Sequence, residues 1–304
     1  MGIGRNSAML LKGIVVKAYN SYYAVQTDKE SKIVLCTVRG RLKQARFTLL
    51  VGDQVEYTVS SGQKGSIEAI LPRVSMLKRP MVANVDQVVL TFACRHPDFS
   101  LQIVDRFLVL AEASQLHSVL CFNKVDLANR QEIEQVADMY RAIGYPVLIV
   151  AAKQHEGIED LRRLLHDHIS VFAGPSGVGK STLLNAIEPG LLLKTGDLSE
   201  KIGRGKHTTR HAELLSLIGN GFVVDTPGFS FTEFIDMAEQ EVRDCFPEFH
   251  ELQAPCKFSS CLHDREPQCG VKKAVLQDEI CSSRYENYLA ILHEIQANKK
   301  GYRS

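Results

Sequence analysis

Gly174, Pro175, Ser176, Gly177, Val178, Gly179, Lys180 and Ser181 form a GxxxxGK[ST] run whose chemistry is the grip of a polyphosphate. The three glycines let successive backbone N–H groups converge on an anion, and the helix that Thr182 enters adds the partial positive charge of its N-terminus. Lys180 is expected to reach the β and γ phosphates, and the Ser181 hydroxyl to bind a Mg²⁺ ion that bridges them. A second set, Asn123, Lys124 and Asp126 in the order Asn-Lys-x-Asp, suits guanine. The Asp126 carboxylate can accept both N1–H and the exocyclic amine, a pair of donors that adenine does not offer. A third set, Cys256, Cys261, His263 and Cys269, has the spacing C-x4-C-x-H-x5-C. Three thiolates and an imidazole suit one tetrahedral Zn²⁺ ion, and four protein ligands leave no open position, so the site is structural.

Each of these residues needs an element to hold it. The apolar run 169–173 reads as a strand entering the glycine loop, and 182–187 as the helix leaving it. The run 118–122 places Asn123 at the C-terminal end of a strand, where α/β folds bind ligands. A strand at 146–151 delivers Ala151, Ala152 and Lys153, which are expected to pass beneath the guanine base. Another at 222–224 ends at Asp225 in Asp-Thr-Pro-Gly228: Asp225 is expected to hold Mg²⁺ through water, and the Gly228 N–H to sense the γ phosphate. Strands at 85–92 and 213–218 and helices at 101–114, 130–143 and 158–166 complete a parallel sheet wrapped by helices. Between the phosphate helix and residue 213 lies Lys206-His-Thr-Thr-Arg210, in which Thr209, in preference to Thr208, is expected to complete the Mg²⁺ shell.

The flanking segments differ in character. Five short alternating runs within residues 9–71 predict a small OB-type barrel, with the cations Arg39, Arg41, Lys43 and Arg46 in a loop suited to an RNA backbone. Tyr19, Tyr22 and Tyr23 read as core residues rather than as platforms for bases. The first 80 residues carry 13 Lys and Arg against 5 Asp and Glu, a balance of +8, and the remainder is −7. A basic part suited to nucleic acid is therefore joined to an acidic one. Residues 72–80 read as a connector, and from 236 the pattern turns helical and cysteine-bearing, with a helix-friendly tail over 271–295. The expected domains are 1–72, 73–235 and 236–304. Cys36, Cys94, Cys121, Cys245 and Cys281 read as core residues. Hydrophobic residues make up 45% and charged residues 23%, enough for a sizeable core. No apolar run approaches the roughly 18 residues of a membrane span. The expectation is a cytoplasmic monomer with no membrane partner.

In small GTPases of the ordinary order the phosphate loop comes first and Asn-Lys-x-Asp late, but here 123–126 precedes 174–181, which precedes Thr209 and Asp225. This circularly permuted order, with a basic barrel before it and a cysteine cluster after it, resembles the RsgA family of bacterial GTPases of small ribosomal subunit biogenesis along essentially the whole chain. The resemblance implies a factor that hydrolyses GTP to GDP late in maturation of the 30S subunit, contacts rRNA through its barrel and zinc domains, is stimulated by the subunit and leaves after hydrolysis. A reading from another class is an RNA-binding module for which GTP is a regulatory ligand with little turnover. One departure is Ala151, where many GTPases carry Ser, which removes a side-chain contribution near the base. Another is Phe229, standing where many GTPases place the glutamine that orients the attacking water. A phenyl ring cannot hydrogen-bond water, so the function falls to another polar group. His207 is the nearest, with His211 an outside candidate, and the resemblance points to His207 as well.

Overall fold

The computed structural model describes residues 9–19, 21–27, 32–40, 48–60, 64–78, 81–189, 191, 212–225, 237–250, 252 and 256–301. The alternating runs near the start become β1 (Leu10–Ala18), β2 (Tyr23–Thr27), β3 (Ile33–Val38), β4 (Gln54–Val59) and β5 (Lys64–Ile70). Their side chains follow the two-residue period of a strand. In β3, Val34 and Cys36 turn inward while Ile33 and Leu35 face solvent. β1 pairs with β2 and β4, β3 with β2 and β5, and β4 with β5, which closes the sheet into the expected barrel. Val15, Val25, Val55, Tyr57 and Ile67 fill it. At Gly65 a Cβ would lie 2.6 Å from the Thr58 carbonyl oxygen, so only glycine lets β4 and β5 approach this closely.

Two expectations for this segment are corrected. Tyr19 and Tyr22 are 48% and 52% exposed, because both lie in the turn between β1 and β2 and share no inward face. Residues 72–80 are not a plain connector: β6 (Met76–Lys78) pairs with β7 (Met81–Ala83). The start of this stretch is pinned by the buried Asp53, which accepts from Arg73 Nε at 2.6 Å, Arg73 Nη2 at 2.8 Å and the Leu50 N–H at 2.7 Å. A carboxylate removed from water is tolerated only with such partners.

The second of two compact units comprises Val88–Arg162, Phe172–Pro189 and Ser230–Ser304. Its strands are β8 (Gln87–Ala93), buried at every position, β9 (His117–Asn123) and β10 (Val147–Ile149), parallel to β9. Helices α1 (Leu101–Ala113), α2 (Arg130–Ile143) and α3 (Ile158–Leu165), the last as far as Arg162, alternate with them, and the end of β11 (Ile169–Ala173), from Phe172, leads to α4 (Lys180–Ile187). Local chemistry sets the ends of α2. The Asn129 side chain accepts from the Gln131 N–H at 3.1 Å, and Gly144, at φ 109°, stops it. Between those ends Ile133, Ala137 and Tyr140 recur at helical spacing and are buried.

The same unit contains α5 (Glu239–Asp244), α6 (Gly270–Leu276) and α7 (Ser282–Gly301). The tail expected over 271–295 is thus two helices, parted where Asp278 adopts φ 57°. Tyr288, Ile291, Leu292 and Ile295 form the buried stripe of α7 and share one core with Phe246, Phe249 and Val109 of α1. Phe246 stacks on Phe249 at 5.2 Å and meets Tyr288 edge-on. Arg284 of α7 lies inside this packing and bonds Asp105 of α1 and Glu248. Cys281, just before α7, is exposed and not part of the core. In the first unit, Met1–Gln87, Arg163–Val171 and Gly190–Phe229, β12 (Glu213–Ser216) runs antiparallel to β13 (Phe222–Asp225) and to β1, and the start of β13 lies parallel to Ile169 and Ser170.

Candidate nucleotide site and metal centre

The loop from Gly174 to Gly179 follows β11, whose five residues are all buried. Gly174, Gly177 and Gly179 have φ of 141°, 79° and 99°, a region that L side chains rarely enter. Two of them are also sites of close approach. A Cβ at Gly174 would collide with the Thr91 carbonyl, and one at Gly179 would lie 2.5 Å from the Asn123 amide nitrogen. The sequence of backbone conformations ends at Lys180, where α4 begins and leaves its first N–H groups without helical partners. Lys180 Nζ donates to the carbonyls of Gly174 at 2.7 Å and Pro175 at 2.9 Å, which holds the ammonium over the loop. Burial lowers its pKa, so an anion at this position gains more from it than from an ammonium in water. Ser181 and Thr182 stand half-buried in the first turn of α4. At the other end of α4, Arg162 Nε and Nη2 donate to the carbonyls of Ile187 at 2.7 Å and Ala186 at 3.1 Å.

Asn123 joins this loop to the other segments singled out in the sequence. It is 2% exposed at the end of β9, its Nδ2 donates to the Val178 carbonyl at 3.0 Å, and its Oδ1 accepts from the N–H groups of Lys124 at 2.8 Å and Ala152 at 3.2 Å. Lys124, at φ 62°, extends Nζ to the Gly177 carbonyl at 2.8 Å and to the His96 carbonyl. The two side chains therefore cross-link 123–126, 151–153 and 174–179. Ala151 is fully buried and Ala152 is 5% exposed; Lys153 and Asp126 are exposed. The loop after β10 is shaped by its own backbone, with Ala151 and Glu156 exchanging N–H···O bonds at 3.1 and 3.2 Å. Within it, Gln154 Nε2 donates to Asp126 Oδ2 at 3.0 Å. Sequence reasoning missed Gln154; its one available signal was Ala151, which carries no side-chain donor where many GTPases have Ser.

Asp225 ends β13, and its side chain lies outside the described residues. His207, Thr208, Thr209, His211, Gly228 and Phe229 lie outside them too, as do Arg41, Lys43 and Arg46.

In the C-terminal part of the second unit, Cys256, Cys261, His263 and Cys269 bring four ligand atoms within 4.8 Å of one another. Cys256 Sγ lies 3.9 Å from Cys269 Sγ and 3.7 Å from His263 Nδ1, and His263 Nδ1 lies 3.2 Å from Cys269 Sγ. Bonds of ~2.3 Å to a tetrahedral ion put sulfur ligands roughly 3.8 Å apart, so the spacing and the donor set both fit a metal of zinc's kind. Burial, helped by the charge of Arg243, holds the His263 pKa down to about 4 and keeps the ring neutral, as a ligand must be. Burial also pushes the Cys261 thiol up to about 12, a cost that a cation reverses by binding thiolate. The surrounding chain fixes the cluster: Gly270 N–H donates to Cys256 Sγ at 3.2 Å, Lys272 N–H to Cys269 Sγ at 3.4 Å, and Tyr285 to the His263 carbonyl at 2.6 Å.

A glycine loop between a buried strand and a helix, cross-linked to an Asn-Lys-x-Asp segment that precedes it in the chain, defines a circularly permuted P-loop GTPase domain. The comparisons agree with the geometry. Residues 70–235 match the model of the RsgA GTPase and residues 12–67 that of the RsgA N-terminal domain. The chain belongs to the RsgA GTPase family and is a GTP-hydrolysing enzyme. It is 45% identical over 291 residues to the small ribosomal subunit biogenesis GTPase RsgA of Alkaliphilus metalliredigens, covering 95% of this chain and 99% of that one. Its identity to the RsgA of Shouchella clausii is 46% over 294 residues, 96% and 99% of the two chains. The crystal structure of YjeQ from Thermotoga maritima superposes with a TM-score of 0.82 at 40% identity, over 95% of this chain and 99% of that one. YloQ, described as a circularly permuted GTPase, superposes with a TM-score of 0.82 at 38% identity over 97% and 98%.

Proposed function

We propose that this chain acts in late maturation of the small (30S) ribosomal subunit, that the subunit stimulates its GTP hydrolysis, and that hydrolysis promotes release. The observation that carries the nucleotide half of this reading is Asn123, whose side chain bonds both the phosphate loop at Val178 and the base loop at Ala152. Asp126 reads guanine, Ala151, Ala152 and Lys153 pass beneath the base, and residues 174–182 hold the phosphates with Lys180 as the cation. Ser181 and Thr209, in preference to Thr208, are the groups that would hold Mg²⁺, which would supply neutralisation of the negative charge on the polyphosphate. Asp225 supports that shell, Gly228 reports on the γ phosphate, and His207 orients the attacking water. The division into a barrel of residues 1–72, a permuted GTPase domain of 73–235 and a zinc-binding domain of 236–304 assigns rRNA contact to the two ends. Support for the barrel's part comes from the balance of +8 over the first 80 residues and from the exposed Tyr19 and Tyr22. A role on nascent subunits implies, in this reading, a cytoplasmic protein.

The test is GTP hydrolysis measured against a titration of purified small subunits. A saturable rise in turnover is expected. A flat titration, with RNA binding that responds to GTP, would favour the RNA-binding module instead.

A further inference from the structure

We propose that Gln154 is a positioning residue for guanine specificity, holding the Asp126 carboxylate in the plane from which it accepts both base donors. This rests on the reading of Asp126 as the guanine acceptor. Asp126 lies in a one-turn 3₁₀ segment, Val125–Leu127, and its side chain is exposed, so packing does not fix it. Among the described residues, Gln154 is the one side chain that hydrogen-bonds the carboxylate, Nε2 to Oδ2 at 3.0 Å. Ala151, the residue of the same loop nearest in role, is buried and carries no donor.

Gln154 itself has a firm base. It ends the 3₁₀ turn Ala152–Gln154; its N–H bonds the Ala151 carbonyl at 3.0 Å, the Ala152 N–H bonds the buried Asn123 at 3.2 Å, and His155 turns the chain back at φ 58°. Arg130 pairs with Glu156 one step further on. The loop is thus tied to the end of β9 at one side and to α2 at the other, and Gln154 transmits that order to Asp126. An ionised carboxylate has about four lone-pair positions. Guanine takes one on each oxygen, which leaves a third for the Gln154 amide on Oδ2. The contact is compatible with bound base and does not compete with it.

The consequence is selective. A base with two donors requires both carboxylate oxygens at once, so it gains most from a carboxylate already oriented. Hypoxanthine, which lacks the exocyclic amine, needs one oxygen and tolerates a pivoting group. Losing the orienting bond should therefore weaken GDP more than IDP. A collapsed loop would weaken both alike.

The experiment measures equilibrium binding of GDP, IDP and XDP to the full chain and to Gln154→Met, Gln154→Lys and Asp126→Asn. Gln154→Met keeps the shape and removes the donor; GDP should bind roughly threefold to tenfold more weakly, while IDP changes by less than about twofold. Gln154→Lys keeps a donor and should retain the parental preference for GDP over IDP. If Gln154→Met leaves that preference unchanged, or lowers both affinities equally, Gln154 does not position the carboxylate. If the parent itself fails to prefer GDP and Asp126→Asn gains no XDP binding, the guanine reading has failed, and this inference falls with it.

Discussion

Arg284 Nη1 donates to Asp105 Oδ1 at 2.6 Å, and the two side chains are 1% and 0% exposed. The pair ties α7 to α1 inside a shared apolar core, and it does not act alone. Glu248 accepts from the same guanidinium at 2.7 and 3.1 Å, Tyr140 and Asn287 donate to Asp105 at 2.7 and 2.6 Å, and the guanidinium lies 4.5 Å from the centre of the Phe246 ring. Burial alone would lower the pKa of Arg284; Asp105 and Glu248 outweigh it and keep the side chain charged. Replacing Arg284 by Ala removes the one cation bonded to both Asp105 and Glu248, leaves two mostly buried carboxylates without it and should cost about 3–5 kcal/mol. Chemical denaturation of Arg284→Ala checks this, and Arg284→Lys should recover only part of the loss because one ammonium cannot reach both carboxylates with paired bonds.

Asp126→Asn should weaken GTP binding by up to ~10⁴-fold and gain affinity for xanthosine triphosphate. The amide can donate to the added carbonyl of xanthine, where a carboxylate can only accept. Competition between the two nucleotides reads the change directly, and an unaltered preference would remove Asp126 from the base site.

Elemental analysis of freshly purified protein should find one zinc per chain. Cys261→Ser should weaken metal binding by more than the ~10- to 100-fold that outer partners of a ligand are worth, while nucleotide affinity stays near that of the parent. Because the thiols must lose protons to bind, metal affinity should rise with pH. Protein free of zinc on isolation would refute the assignment.

His207→Ala should reduce the subunit-stimulated rate by ~10²- to 10⁴-fold, leaving GTP and subunit binding intact. In this account free protein turns over slowly and docking on the subunit brings His207 to the attacking water. Full stimulation of the mutant would show that the water is positioned by rRNA or backbone.

Much of the fold was legible because it depends on local periodicity. The helix expected at 130–143 appears as Arg130–Ile143 because apolar spacing, an Asn cap and a glycine stop all agree on it. The barrel's alternating runs were readable for the same reason. Turns and long-range contacts were harder. Nothing in the spacing of Tyr19 and Tyr22 revealed that a turn would carry both out of the core. No periodicity announces that residue 284 will meet residue 105, or that Arg73 will seek Asp53 and order the stretch behind it. In the site, Gly174 to Ser181 declared itself through glycines that the backbone demands, whereas Gln154 reaches Asp126 from a turn whose geometry arises only on folding.

The interleaving of the two units bears on how the chain is made. The barrel closes among residues 10–70, so its contacts are local, and it can form while later segments are still being translated. The unit bearing Asn123 and Lys180 is assembled from stretches that begin at residue 88 and are completed by α7. Its α1 meets β8 and α2 early, through Phe107 on Phe92 and Asp105 with Tyr140, but its bonds to Arg284 and Asn287 of α7 wait until the end of synthesis. A chain interrupted soon after residue 88 would hold every strand of the barrel and lack the phosphate loop. Such a fragment would keep the balance of +8 carried by the first 80 residues and lack turnover, so the charge suited to a polyanion would be parted from the chemistry that the intact chain couples to it.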